Sequence, residues 1–157
     1  EAVHWLSKMR DMGWKPDNIA HTAVINACAK RGDTARAARQ LEDMAAAGLS
    51  PTVVTFSAVL KAYARVGDSA GAERLFEAME TAGVQPNVVT WTSMIEVCAK
   101  AKPRRSREAG AFFARMIRSR VMPDKVALRT LMRAVGYAKA IELCQELGVV
   151  DGSARSA

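Results

Sequence analysis

VVTFSAVLKAYARVGDSAGAERLFEAMETAGVQPN, residues Val53 to Asn87, is the stretch on which the fold of this 157-residue chain turns. In its first half Phe56, Val59, Leu60 and Tyr63 stand at the i, i+3, i+4, i+7 spacing of a helix with one buried face. In its second half Ala72, Leu75, Phe76 and Met79 repeat that spacing. That second helix is expected to start after Asp68 as N-cap and to stop at Gly83. The stretch therefore reads as a helical hairpin.

Copies of the hairpin extend in both directions. Pro16, Pro51 and Pro86 are 35 residues apart and Pro123 follows after 37; Met9, Met44, Met79 and Met116 keep the same intervals, and Gly32 and Gly67 mark equivalent turns. Full units are expected at 18–52, 53–87 and 88–124, with an incomplete unit at 1–17, a degenerate capping unit at 125–150 and a disordered tail at 151–157. Such a period describes stacked hairpins, each covering its neighbour's apolar face. With half the residues hydrophobic and no alternating pattern, the expected fold class is all-α, a solenoid of helix-turn-helix repeats. Val3, Leu6, Met9 and Arg10 track the later units, Trp5 and Trp14 are expected to pack at the leading end, and the small residues Ala45 to Ala47 suit closely approaching helices.

Charge is distributed unevenly. The net charge is +7, and the unit from Val88 to Asp124 alone carries +5, on the Lys100 to Arg107 loop and on Arg115, Arg118 and Arg120. This balance points to a polyanionic partner. In that unit AKPRRSRE replaces a compact Gly-Asp turn, and Pro103 is expected to end the preceding helix. Lys102, Arg104, Arg105 and Arg107 are either a solvated loop, a phosphate clamp or a docking loop for an acidic protein surface.

Chemistry-bearing motifs are few. Cys28 and Cys98 fall at equivalent places on apolar helix faces, and Cys144 lies on a short apolar helix, so all three read as buried thiols of a reducing compartment. No Cys-x-x-Cys or His-x-x-x-His spacing offers a metal site. His21 takes the place of Phe56, Trp91 and Leu128 in the other units and reads as a packing residue. With His4 as the other histidine, no nucleophile and base constellation is supported, and no catalytic residue, metal or cofactor is expected. No apolar run reaches 18 residues, so no helical membrane span is expected.

A second face repeats along the first helices. At about 100° per residue, Val54, Ser57, Lys61 and Arg65 fall together opposite the core stripe. Ile19, Thr22, Asn26 and Lys30, then Val89, Thr92, Glu96 and Lys100, occupy the same places. An aliphatic residue, a small hydroxyl and a terminal cation per unit suit single-stranded nucleic acid, with bases slotted between aliphatic side chains and phosphates met by Lys or Arg. On a merely solvated face, Lys30, Arg65 and Lys100 would complement the helix C-terminus.

VVTFSAVLKAYARVGDSAGAERLFEAMETAGVQPN resembles a pentatricopeptide repeat, as does VVTWTSMIEVCAK with its terminal MPD, and the resemblance spans Glu1 to Leu147. The 35-residue unit ending in Gly-x-x-Pro-Asx separates it from the 34-residue tetratricopeptide pattern. The resemblance implies a right-handed α-solenoid whose first helices line a groove for single-stranded RNA, one base per repeat. It further implies a base sandwich formed by Ile19, Val54, Val89 and Val126, and phosphate contacts from Lys30, Arg65 and Lys100. Base identity would be read by the pairs Thr22 with Thr52, Ser57 with Asn87, and Thr92 with Asp124. By the family's code, hydroxyl with Asn favours adenine and hydroxyl with Asp favours guanine, whereas Thr52 and Arg129 depart from the pattern. Thr52, Asn87 and Asp124 are equally placed to cap helices.

The function implied is a non-catalytic, sequence-selective RNA-binding module acting in RNA processing, stability or translation in a mitochondrion or plastid. The alternative is a scaffold that packs against proteins or structured RNA in a large organellar assembly such as a ribosome. No small-molecule substrate is implied, and no His-x-Glu with Pro-Cys-x-x-Cys deaminase signature is present. Three full units grip few nucleotides, so either further repeats lie outside this sequence or binding is weak and salt-sensitive.

Overall fold

The computed structural model describes residues 2–149. The side chains of Val3 and Arg10, and the tail expected to be disordered at 151–157, lie outside what it describes. Over the described residues the chain is helical without strands: α1 (Ala2–Asp11), α2 (Asn18–Arg31), α3 (Thr34–Ala46), α4 (Val53–Val66), α5 (Ser69–Thr81), α6 (Val88–Lys100), α7 (Ser106–Arg118), α8 (Lys125–Val135) and α9 (Tyr137–Glu146).

Local chemistry starts and stops these helices. Asp17, Asp33, Asp68, Asn87 and Asp124 accept hydrogen bonds from backbone N–H groups three residues on, satisfying donors that a first turn leaves orphaned. Gly32 and Gly67 close α2 and α4 in the left-handed region, at φ 72° and 77°. A side chain on Gly67 would also press against α6, since its Cβ would lie 3.1 Å from the Lys100 carbonyl oxygen, closer than an ordinary contact. In the third unit α6 ends at Lys100, ahead of Pro103, because Ala101 is already extended.

Stacking produces two unequal rows. The first helices α2, α4, α6 and α8 pack side by side, and each of α3, α5 and α7 packs on its own first helix and on the next one. The backbones of α3, α5 and α7 do not contact one another. A row that packs closely while its partner row splays lies on the inside of the curve, so the first helices form the concave side of an α-solenoid. Between the rows Phe56, Leu60, Phe76, Met79, Trp91, Phe113 and Met116 are buried. Large side chains of this kind contribute about 1.5–3 kcal/mol each on burial.

Several packing expectations need correction. Trp5 and Trp14 are 61% and 65% exposed rather than packed at the leading end. Lys8 stands over the Trp5 ring at 5.2 Å. Ala45 to Ala47 are exposed at the end of α3 rather than packed between helices. Tyr63 is half-buried rather than core, lodged beside Gly71, and Leu128 is also half-buried. Arg115, which looked like part of a polyanion surface, spans the splayed outer row. It stacks 5.3 Å from the Phe76 ring and 5.4 Å from the Trp91 ring, and pairs with Glu80 at 2.8 Å.

Arg120 holds φ 58° at the place where the earlier units carry Gly48 and Gly83. A side chain in this region strains the backbone by about 1–2 kcal/mol. Arg120→Gly is therefore expected to raise the unfolding free energy by about 0.5–1 kcal/mol once glycine's larger unfolded-state entropy is included. Denaturant titration of the two proteins checks it; an unchanged or lowered midpoint contradicts the strain.

Candidate nucleic-acid interface

The concave row exposes one aliphatic residue per unit. Ile19, Val54, Val89 and Val126 sit in the first turns of α2, α4, α6 and α8, with exposures of 77%, 58%, 36% and 58%. Each follows a helix start, so its neighbours at the next turn build the groove wall. A single exposed valine is ordinary, but four at one register position form a row.

The hydroxyl positions lie deeper. Thr22 is half-buried, its Oγ1 3.3 Å from that of Thr55 in the next inner helix. Ser57 departs from the expectation of an open face: it is 5% exposed and its Oγ lies 2.9 Å from Thr90 Oγ1. The helical wheel placed it opposite the core, but the neighbouring helix α6 covers that flank of α4. Alanine stands at 127 where Thr55 and Thr90 stand in the other units, so this ladder has no next rung. Thr92, half-buried, donates instead to the Val88 carbonyl within its own helix at 2.6 Å.

The last residues of the units do cap helices. Asn87 Oδ1 accepts from Thr90 N at 3.0 Å and Asp124 Oδ1 from Ala127 N at 2.7 Å, while Thr52 N donates to Thr55 Oγ1 at 3.4 Å. Capping engages one oxygen of each Asx side chain. Asp124 remains exposed and borders a cleft of about 420 Å³ against α4, α6 and α8. Val89, Val126 and Thr92 line this cleft, and Lys61, Arg65 and Lys100 supply its positive wall.

Three family models match this chain: a pentatricopeptide repeat domain over residues 5–65, a PPR repeat family over 51–100 and a PPR repeat over 89–121. The chain belongs to the pentatricopeptide repeat family. Solved structures share the fold. The pentatricopeptide repeat protein PPR10 from maize is 27% identical with a TM-score of 0.73, covering 99% of this chain and 22% of that one. PPR10 in complex with an 18-nt psaJ RNA element is 20% identical with a TM-score of 0.74, covering 94% of this chain and 22% of that one. The PPR domain of Arabidopsis thaliana protein-only RNase P 1, in complex with tRNA, is 16% identical with a TM-score of 0.74, covering 97% of this chain and 83% of that one. The chain thus spans about a fifth of the length of PPR10. No curated protein gives a match.

Among the groove cations of this pentatricopeptide repeat chain, Lys30 and Arg65 are exposed and make no ion pair with a described residue. Lys100 is different, since Glu96 Oε1 holds its Nζ at 2.9 Å. The basic loop is also less open than its sequence suggests. Arg105 pairs with Glu73 and Glu108, Arg104 Nη1 donates to the Arg133 carbonyl at 3.3 Å, and Ser106 Oγ donates to the Ala134 carbonyl at 2.7 Å. Arg104 and Arg105 therefore staple the inserted loop to its neighbours, leaving Lys102 and Arg107 exposed. Where the first two full units turn on Gly32 and Gly67, side-chain bonds hold this loop.

Lys61 was placed on the groove face by its sequence position but not expected as a phosphate contact, and Arg133 was not singled out at all. Both occupy the ninth place of their units, with Asn26 and Glu96, and that shared register was the available signal. Nucleophilic chemistry finds no support in the thiols. Burial pushes the Cys98 thiol up to about 11 and raises Cys28 as well, so neither is a thiolate near neutral pH. Cys144 is half-buried and His21 is wholly buried in the core. Among the described residues no group of three or more candidate ligands could hold a metal, and no helix is long and apolar enough to cross a membrane.

Proposed function

We propose that this chain is a non-catalytic module that binds single-stranded RNA along its concave row, about one base per repeat, in mitochondrial or plastid RNA processing, stability or translation. One observation carries the reading: the cleft between α4, α6 and α8 gathers an aliphatic pair, a hydroxyl, a terminal Asx and several cations from three different units. Val89 and Val126 border the place for a base, Thr92 and Asp124 offer its edge polar groups, and Lys61, Arg65 and Lys100 face its phosphates. The third unit accordingly prefers guanine. RNA in the PPR10 complex adds support by analogy of fold. A scaffold role draws support from Ser57, whose hydroxyl is covered by Thr90 and withheld from a base in the middle unit.

Titration with short labelled RNA over a range of salt separates the two. Base preference with a modest salt dependence is expected for the module; uniform and steep salt dependence, or no binding, favours the scaffold. The double variant Lys61→Ala with Arg65→Ala is expected to flatten the slope of log K against log salt by about 1.4, or about 0.7 for each lost phosphate contact to a single strand. An unchanged slope would remove these two cations from the phosphate track.

A further inference from the structure

The groove's cations are not equally available. In the first two full units the ninth place holds Asn26 and Lys61, neither acidic, and Lys30 and Arg65 stand without ion pairs to described residues. In the third unit Glu96 fills that place, and the same oxygen, Oε1, meets Lys100 Nζ at 2.9 Å in its own helix and Arg133 Nη2 at 3.5 Å across in α8. The fourth unit has Tyr137, the first residue of α9, where the others carry Lys30, Arg65 and Lys100, and α8 has already stopped at Val135. Arg133, one turn earlier, is then its nearest cation on the groove side.

We propose that Glu96 is a displaceable occupant of a phosphodiester site formed by Lys100 and Arg133, and that Arg133 supplies the phosphate contact of the fourth unit. The proposal rests on the groove reading above. The triad is exposed enough to open, with side-chain exposures of 33% for Glu96, 38% for Lys100 and 55% for Arg133. Exposed pairs of this kind hold weakly, and a phosphodiester offers the same two cations an equal negative charge on two non-bridging oxygens, so that each cation can have its own acceptor where Glu96 gives both a single oxygen. Glu96 borders the same cleft as Lys100, so a strand following the aliphatic row passes over it. While Glu96 stays in place, one carboxylate cancels half of the local positive charge. The third-to-fourth step is thereby gated, whereas the step past Arg65 is not.

The test is binding of a single-stranded RNA oligomer across a salt series by wild type, Glu96→Gln, Arg133→Ala and the double variant. Glu96→Gln is expected to bind about fivefold tighter, the weight of an exposed ion pair, with its log–log salt slope steeper by about 0.7. Adding Arg133→Ala should cancel that gain, whereas adding Arg118→Ala, an equal loss of positive charge on the outer helix α7, should leave it; cancellation by both would reduce the effect to net charge and overturn the site. Wild-type binding with Glu96→Gln unchanged in affinity and slope overturns the gate and leaves the groove. Binding by Glu96→Gln alone supports the gate in a stronger form, and no binding by either protein overturns the groove and the gate together.

Discussion

Trp91→Ala is expected to lower the unfolding free energy by about 3–5 kcal/mol, the range for deleting a buried tryptophan. The side chain is 1% exposed, its ring centroid lies 5.0 Å from that of Phe76, and the Arg115 guanidinium covers it at 5.4 Å. Because α5, α6 and α7 meet around this ring, its loss removes a repeat-to-repeat interface as well as one side chain's burial. Trp91→Phe is expected to cost under about 1.5 kcal/mol. It sheds volume, but it also removes a buried indole N–H that has no acceptor among the described residues, an atom whose desolvation costs about 1–3 kcal/mol. Phe56 already fills the same place one unit earlier. Urea unfolding of the three proteins decides the matter: an alanine penalty below about 1 kcal/mol would mean that the ring does not hold the units together.

Asp124→Asn is expected to move the third unit's preference from guanine toward adenine, by roughly tenfold, the scale of one hydrogen bond to a charged group. An ionised aspartate only accepts, which suits the N1 and N2 donors of guanine, whereas asparagine also donates. Stability should hold, because asparagine caps a helix as well as aspartate does and can keep the bond from Ala127 N. Selection from a randomised RNA pool reads the change, and an unaltered preference with unaltered stability would leave Asp124 as a cap alone. The reverse exchange, Asn87→Asp, is expected to give a smaller shift, since the partner hydroxyl of Ser57 is tied to Thr90.

Buried apolar positions were legible because their spacing is set within one helix. Ala72, Leu75, Phe76 and Met79 are all buried as their period requires, and Gly67 and Asp68 make the turn between α4 and α5 through bonds to residues a few places away. The exposed aliphatic row followed from the same periodicity for Ile19, Val54 and Val89, which lie on the face their helices do not bury, whereas Val126 was added to it by the family resemblance and is exposed as well. Ser57 was not legible in this way. Its angle on the wheel lies near the border between core and groove, and a neighbour 33 residues away decided which side it joined. The charged loop was legible only in part for a related reason: a run of Lys and Arg shows its charge, but not that Glu73, 32 residues away, stands beside Arg105.

By itself, then, the amino-acid order determined the helices, their caps, the repeat and the face that stays apolar yet uncovered, since each depends on geometry confined to a turn or a hairpin. Only the stacked structure decided which groove cations stand clear and which are held, because Glu96 reaches Arg133 across 37 residues of chain and pairing of that kind depends on how adjacent units are juxtaposed.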